Sequence, residues 1–315
     1  MNVNIDFIIR NPSELLNLRP GQKTIDLWIE LLKADQPFFE FLTSDDKKSD
    51  QLLKAVLQEA PWCLNQLDES FLKNESVALE ACEQMGSALG YFSPQIKDTF
   101  AVVWAAVSQD GTALYFASQR LKKDRSIVMR AIQTTPGALK YASSEMQSQL
   151  DVVRAAVELD GMSLYWAHPS FRKKESMIKL AIQTNPMAFA LADRELRDQV
   201  ELVKECMDIS PYMLRFSSPR VRSQKDVAIK AIEADPSLFS VLDESMQLSE
   251  SVCLTIINHW PDQIHLIPKS MEDNFLVASA LDDVRRRELD ARRSTWKPMT
   301  EEELRAKKEQ EAERK

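Results

Sequence analysis

The stretch that decides the fold occurs twice, as DTFAVVWAAVSQDGTALYFASQRL at Asp98–Leu121 and as SQLDVVRAAVELDGMSLYWAHPSF at Ser148–Phe171. Each copy has a pair of apolar residues, a second apolar pair four positions later, an Asp-Gly step and a Leu-x-x-Ala stretch. Apolar residues at i, i+1, i+4 and i+5 lie on one face of an α-helix. Each copy therefore predicts an amphipathic helix, a turn and a second, shorter helical stretch.

A column of Pro and Gly residues shows that this unit is repeated at a constant spacing along the chain. Its members are Pro61, Gly86, Gly111, Pro136, Gly161, Pro186, Pro211, Pro236 and Pro261. The apolar columns on either side keep the same spacing through all nine copies. A unit this short cannot bury its own apolar face, so neighbouring units must stack. We predict an all-α solenoid of nine tandem 25-residue helix-turn-helix repeats, numbered 1 to 9, plus a charged C-terminal helical tail.

The Pro/Gly column is expected to separate two helices and not to form a hairpin. Asp110-Gly111 alone favours a hairpin turn. However, six copies have Pro at the Gly position, and Pro cannot adopt the positive φ that such a turn requires. The preceding column, Asp110, Thr135, Asp160, Asn185, Ser210 and Asp235, is instead predicted to cap the second helix, with Pro as its first residue. A further Ser/Asp column predicts one more helical turn before the next repeat.

These motifs resemble a helical repeat family catalogued only as a domain of unknown function, number forty-one-sixteen. The shared features are the apolar pairs, the Asp/Asn-Gly/Pro step and the Leu-x-x-Ala stretch, and they cover residues 49–271. The resemblance implies a helical array and no catalytic residue, because the family is known by its architecture. We expect three segments: residues 1–48 as an N-terminal cap with one degenerate repeat displaced by one residue, 49–271 as the array, and 272–315 as a C-terminal cap and tail.

Composition limits the class of protein. The net charge of −8 and the pI near 5.2 argue against a nucleic-acid partner, because such proteins use Lys and Arg to neutralise phosphates. No run approaches the ~18 apolar residues of a membrane-spanning helix, so no membrane insertion is expected. The four cysteines show no CxxC spacing, which argues against a disulfide framework or a zinc site. We expect a cytoplasmic monomer.

Residues for catalysis or for metal binding do not converge in the sequence. Of the three histidines, His168 lies in a cap column before Pro169, while His259 and His265 belong to the most divergent repeat. Cys82 and Cys206 occupy columns that are apolar in the other copies, and this pattern is typical of small core residues. We therefore predict that the chain is not an enzyme, with no catalytic residue, cofactor or metal.

The short helices offer the candidate partner-binding residues. Two outward columns hold large side chains in repeats 3 to 7: Met162, Met187 and Tyr212 in one, and Tyr115, Tyr165 and Arg215 in the other. Tyr, Met and Arg are enriched at protein interfaces. The alternative interpretation is that these side chains lie across the grooves between repeats and complete the packing. The outward column of the long helices is polar in every copy and is expected to be solvated surface.

Three functions remain open. The leading hypothesis is a protein-interaction scaffold that binds a protein or peptide, because stacked helical repeats present extended surfaces. The second is a secreted bacterial effector that engages a host protein and enters the host cell without a Sec signal. The glutamate-rich end of the tail, where Thr300 and Glu303 form a capping box, is similar to C-terminal signals of some type IV secreted effectors. The third is an enzyme or regulator with a small-molecule pocket formed across repeats.

Overall fold

Long α-helices, short 3₁₀ helices and single turns alternate along the chain. A computed structural model describes residues 5–34 and 38–295. The long helices of repeats 1 to 9 are Asp50–Glu59, Glu75–Gln84, Phe100–Gln109, Arg125–Thr134, Leu150–Leu159, Glu175–Thr184, Val200–Ile209, Lys225–Ala234 and Glu250–His259. The short helices are Pro61–Gln66, Gly86–Tyr91, Gly111–Phe116, Pro136–Tyr141, Gly161–Trp166, Pro186–Leu191, Pro211–Phe216, Pro236–Val241 and Pro261–Leu266. The last turns are Phe71–Lys73, Ile96–Asp98, Leu121–Lys123, Met146–Ser148, Pro169–Lys173, Arg194–Arg197, Pro219–Arg222, Glu244–Gln247 and Lys269–Met271.

The chain consists of two compact units, an N-terminal unit, Met1–Asp193, and a C-terminal unit, Arg194–Lys315. The N-terminal unit contains repeats 1 to 5 and the first two helices of repeat 6; the C-terminal unit contains the remaining repeats. Every regular element of the described residues is helical, and within each unit helices pack against their neighbours in sequence. The predicted all-α solenoid of tandem repeats is confirmed over these residues.

The long helices form because their apolar pairs all turn inward. In repeat 5, Val152, Val153, Ala156 and Val157 are buried, and charged residues fill much of the other side of the helix. This spacing produces a narrow apolar stripe at the helical period. The helix ends before Gly161, where Asp160 has an extended backbone with φ of −150°.

The second element of each repeat is a short 3₁₀ helix, which is tighter than an α-helix. Of the predicted caps, Asp110, Asp160, Asn185 and Asp235 accept a hydrogen bond from the backbone N–H two residues later. The predicted side-chain caps at Thr135 and Ser210 are wrong, since neither makes this bond. A hydroxyl is one bond closer to the backbone than a carboxylate or amide oxygen, and it makes this local turn more weakly.

Backbone hydrogen bonds join successive repeats in addition to the apolar core. In the N-terminal unit an amide that follows a short helix donates to a carbonyl in the last turn of the preceding repeat. These pairs are Ser93 to Leu72, Ser118 to Lys97, Ser143 to Lys122, His168 to Gln147 and Asp193 to Arg172, at 2.9–3.0 Å. In the C-terminal unit Ser218 donates to Arg197 in the same way at 3.0 Å. These bonds tie the end of each short helix to the last turn of the repeat before it.

Both ends of the array keep the repeat spacing. The helix Ile25–Lys33, capped by Thr24, begins one full repeat before Asp50, so the one-residue displacement predicted for this degenerate repeat is wrong for its helix. It is preceded by the helix Ile5–Arg10 and the 3₁₀ helices Pro12–Asn17 and Pro20–Gln22, and followed by Phe39–Phe41 and Asp46–Lys48.

At the other end, the helix Phe275–Thr295 begins one full repeat after Glu250. The charged stretch was predicted to start at Asp282. Its first residues, from Asp282 to Thr295, are part of this helix and do not form a separate tail. The capping box at Thr300 and Glu303 lies outside the described residues.

Candidate interaction surface

Most of the predicted partner-binding residues of the N-terminal unit are exposed. The exposed fractions are 58% for Tyr115, 52% for Tyr165 and 54% for Met187, whereas Met162 is half-buried. The two tyrosines lie on short helices directly after the buried positions Leu114 and Leu164. The buried neighbour holds the helix in the core, and the larger side chain is left at the surface.

In the C-terminal unit the predicted pair Tyr212 and Arg215 forms a group with an acidic residue. Tyr212 is 49% exposed, and the Arg215 guanidinium carbon lies 5.9 Å from the centre of its ring. Burial acts to raise the pKa of Asp235, but hydrogen bonds from Ser237 and Tyr212 and the charge of Arg215 outweigh it and lower that pKa. The positive charge of Arg215 is therefore partly balanced by the nearby Asp235 carboxylate.

A second column of the short helices, which sequence analysis did not single out, is aromatic in four consecutive repeats. Its members are Tyr91, Phe116, Tyr141 and Trp166, all half-buried. Tyr115 packs edge-on against Tyr141 of the next repeat, with ring centres 5.3 Å apart. Tyr165 packs edge-on against its neighbour Trp166 at 4.7 Å. The recurrence of an aromatic residue at this column from one repeat to the next was the signal that would have revealed it.

Two lysines lie over these rings. The Lys122 ammonium is 5.5 Å from the Tyr115 ring centre and donates a hydrogen bond to the Tyr115 carbonyl at 2.6 Å. The Lys140 ammonium lies 4.8 Å from the Trp166 ring and 5.5 Å from the Tyr141 ring. Burial lowers the pKa of Lys122. Attraction between a cation and the face of an aromatic ring is worth ~0.5–1 kcal/mol at exposed sites, so the rings help to place both ammonium groups.

These contacts form one continuous group across repeats 3 to 5. We call it the aromatic–lysine strip, and it consists of Tyr115, Lys122, Lys140, Tyr141, Tyr165 and Trp166. The two interpretations of the exposed tyrosines each account for part of the geometry. Tyr115 does lie across the groove between repeats, as the packing interpretation predicts, yet more than half of its surface remains exposed.

A polar clamp recurs in both units, four repeats apart. Arg120 donates through Nε to both carboxylate oxygens of Asp98, at 3.0 and 3.2 Å, and Ser118 also hydrogen-bonds to that carboxylate. Arg220, Ser218 and Asp198 repeat the arrangement in the C-terminal unit. Hydrogen bonds from Ser118 and Arg120 lower the pKa of Asp98. The clamp ties one repeat to the next.

Comparison with known proteins shows that part of the array is similar to a described family. The family model Domain of unknown function (DUF4116) matches residues 101–147 and 150–197. The resemblance predicted from the sequence is confirmed over these two segments. Each DUF4116 match begins in a long helix and covers nearly two repeats, and together they contain the whole aromatic–lysine strip. No curated protein and no solved structure matches the chain.

His168 and Cys82 have structural roles in the array. His168 caps the last turn of repeat 5, because its Nδ1 accepts from the Ser170 backbone N–H at 3.3 Å, and the predicted capping role is confirmed. Cys82 is fully buried, and burial raises the pKa of its thiol to about 12.

The described residues contain no group of three or more His, Cys, Asp and Glu side chains placed to hold a metal ion. In the same part of the chain, no helix is both long and apolar enough to cross a membrane.

An apolar cleft lies on the outer face of the long helices, and its lining includes Glu83 and Ser108 of the polar column that was expected to be solvated surface. It has a volume of about 830 Å³ and is lined by residues of the long helices of repeats 2, 3 and 4. Phe100 and Trp104, whose ring centres are 5.8 Å apart, line it together with Leu79 and Glu83. Both aromatic residues occupy columns that hold a charged residue in several other copies, and this exception was the missed signal.

Proposed function

We propose that this chain is a non-catalytic interaction scaffold that binds a protein or peptide along the short helices of its N-terminal unit. The observation that carries the proposal is the exposure of Tyr115 and Tyr165 on top of the aromatic–lysine strip. Large aromatic side chains provide much contact area for little loss of rotamer freedom, and Tyr is enriched among residues that dominate binding energy.

The strip is also suited to binding because its geometry is already formed. Tyr115 is held against Tyr141, and Tyr165 against Trp166, so few side-chain rotamers need to be ordered when a partner arrives. Ordering one flexible side chain at an interface costs ~0.5–1.5 kcal/mol. Pre-ordered rings avoid part of this cost.

The experiment that tests this proposal combines capture and stability on the same variant. Full-length wild-type chain and the double variant Tyr115→Ser/Tyr165→Ser are immobilised as baits, and bound proteins are compared by mass spectrometry. We expect the variant to lose a partner that the wild-type chain captures. We expect its free energy of unfolding to fall by less than ~2 kcal/mol, because both rings are half exposed.

Leu150→Ser/Leu159→Ser is the matched control. These two leucines have similar exposed fractions, 55% and 53%, in the same unit but on a long helix. The control should capture the same partner as the wild-type chain. A larger stability loss in the tyrosine variant would show that the rings serve packing. Equal capture by all three baits, or no protein specific to the wild-type bait, would overturn the proposal.

A further inference from the structure

The aromatic–lysine strip lies in a basic part of an acidic chain. Residues 111–174, which contain the strip, have ten Lys and Arg against five Asp and Glu. The whole chain has a net charge of −8. Local charge of one sign on a surface of the opposite sign favours a partner of complementary charge and speeds its association.

Lys140 is one of these basic residues. Its side chain is exposed, and its ammonium lies over the Tyr141 and Trp166 rings, with no carboxylate partner among the described residues. Lys122, in the preceding repeat, likewise has no acidic partner there, and its ammonium donates a hydrogen bond to the Tyr115 carbonyl. An ammonium group has three donors, so each lysine retains capacity for an anion.

Several other exposed cations of the array are paired with a carboxylate. Arg120 pairs with Asp98, Arg125 pairs with Asp151, and in the C-terminal unit Arg220 pairs with Asp198. Arg215, the counterpart of Lys140 in repeat 7, lies close enough to Asp235 to lower the pKa of that carboxylate. The strip is therefore a place on the short helices where aromatic surface coincides with cations that lack an acidic partner among the described residues.

We propose that the strip binds an acidic peptide segment whose Asp or Glu side chains pair with Lys140 and Lys122 and whose apolar side chains cover Tyr115 and Tyr165. This inference rests on the proposed scaffold function and adds the chemistry of the partner. The two lysines lie in adjacent repeats. The Lys122 ammonium contacts the Tyr115 ring, the Lys140 ammonium contacts the Tyr141 ring, and the two rings pack against each other, so one short segment can reach both lysines. In an extended peptide, side chains two or four positions apart point to the same side, and we expect the acidic residues at such a spacing.

The experiment selects the ligand without assuming its sequence. A random dodecapeptide library displayed on phage is panned on immobilised full-length chain. We expect the enriched peptides to have a net negative charge and at least one aromatic or large aliphatic residue. One enriched peptide is then synthesised with a fluorescent label and titrated against wild-type chain, Lys140→Glu and Lys140→Gln.

The lysine variants are expected to weaken binding in a graded way. Lys140→Glu replaces attraction by repulsion and should weaken binding by about tenfold or more, and Lys140→Gln by a smaller factor. Added sodium chloride should weaken wild-type binding, because exposed charges are screened. Lys225→Glu is the matched control, since Lys225 is an exposed lysine of the C-terminal unit, and it should bind as the wild-type chain does. Circular dichroism and the urea midpoint verify that each variant is folded.

Several outcomes would overturn the acidic-peptide proposal. They are an enriched set that is neutral or basic, no enrichment, unchanged binding by Lys140→Glu, or tighter binding of oligothymidylate than of the selected peptide. The last result would assign the strip to single-stranded nucleic acid, whose bases stack on aromatic rings. Failure here remains distinct from failure of the scaffold proposal. If tyrosine-dependent capture persists while Lys140→Glu captures the same partner, the scaffold stands and its partner is not acidic.

Discussion

The buried face and the exposed edge of the same short helix differ in how closely the fold constrains them. In repeat 5, Leu164 is fully buried, while the next residue, Tyr165, is 52% exposed. The Leu164 column contains only Leu, Phe and Ile in the nine repeats, whereas the Tyr165 column contains Asn, Gly, Tyr, Lys, Ala, Arg, Ser and His. Packing restricts the first column because an interior has few voids. The second is free to vary, so large residues at that edge need another explanation, and binding supplies one.

Deleting a side chain from the buried face should give the largest effect on stability. Leu164→Ala removes buried methyl groups and leaves a cavity between neighbouring repeats, which should cost ~2–5 kcal/mol. Tyr165→Ser, one residue away, should cost much less. Urea titration of both variants measures the difference. If the two losses were equal, the contrast between the buried face and the exposed edge would not hold.

A methyl group added where two repeats approach should have an intermediate effect. The backbone of Gly161 lies so close to the Ala181 carbonyl that a Cβ would overlap its oxygen, and the Gly161 N–H donates to Thr184 Oγ1 at 2.8 Å. Gly161→Ala must displace backbone and should destabilise the chain by ~1–3 kcal/mol.

Gly137→Ala is the matched control for this prediction. Gly137 also lies on a short helix, but no atom lies within 4 Å of the position its Cβ would occupy. The added methyl should be neutral or should stabilise by ~0.4–1 kcal/mol through loss of freedom in the unfolded chain. Thermal unfolding should therefore show a lower midpoint for Gly161→Ala and an unchanged or higher one for Gly137→Ala. A shift of the same size and sign in both would show that the close approach at Gly161 has no energetic weight.

Removing the clamp between Asp98 and Arg120 should have the smallest effect on stability, and this effect should depend on pH. The pKa of Asp98 is lowered in the folded state by hydrogen bonds from Ser118 and Arg120. The stabilisation is therefore present above the ordinary Asp pKa of about 3.9 and is lost as pH falls through the lower folded value. Asp98→Asn should lower the urea midpoint slightly at neutral pH, and the difference from wild type should shrink below pH about 4.

Asp283→Asn controls for the general effect of removing an acidic side chain. Asp283 is exposed on the C-terminal helix, and its side chain has no ion pair or hydrogen bond among the described residues. Its substitution should leave no such pH-dependent difference. If the urea midpoint of Asp98→Asn stayed below that of the wild-type chain by the same amount in strong acid, the clamp would not act through the Asp98 charge.

Much of the fold was predictable because each repeat presents similar local signals. The apolar pairs, the Pro/Gly step and the cap residues recur from repeat to repeat and agree with one another, so independent signals pointed to the same helices. What the sequence did not reveal was the type of the second helix. A short segment between a Pro and an extended residue is compatible with an α-helical turn or a 3₁₀ helix, and the choice depends on contacts with the next repeat.

The candidate site was predicted only in part. Tyr115 and Tyr165 were identified from their column, but Lys140 of the same column was not among the predicted residues, because Lys, unlike Tyr, Met and Arg, is not enriched at protein interfaces. Its importance follows from Trp166, which belongs to the next repeat and lies 4.8 Å from its ammonium group. Residues this far apart in sequence meet only because the repeats stack. The predicted interface role of the tyrosines remains a prediction.

The sequence by itself determined the repeat length, the buried columns, and the boundaries of most long helices, because each of these depends on residue type and local spacing. Tertiary structure alone decided which surface residues share a neighbourhood. It placed Tyr115 against Tyr141, left Lys140 without a carboxylate among the described residues, and paired Arg120 with Asp98. The physical reason is that a pattern of apolar residues specifies which face is buried, whereas contacts across a groove depend on how closely one repeat lies upon the next.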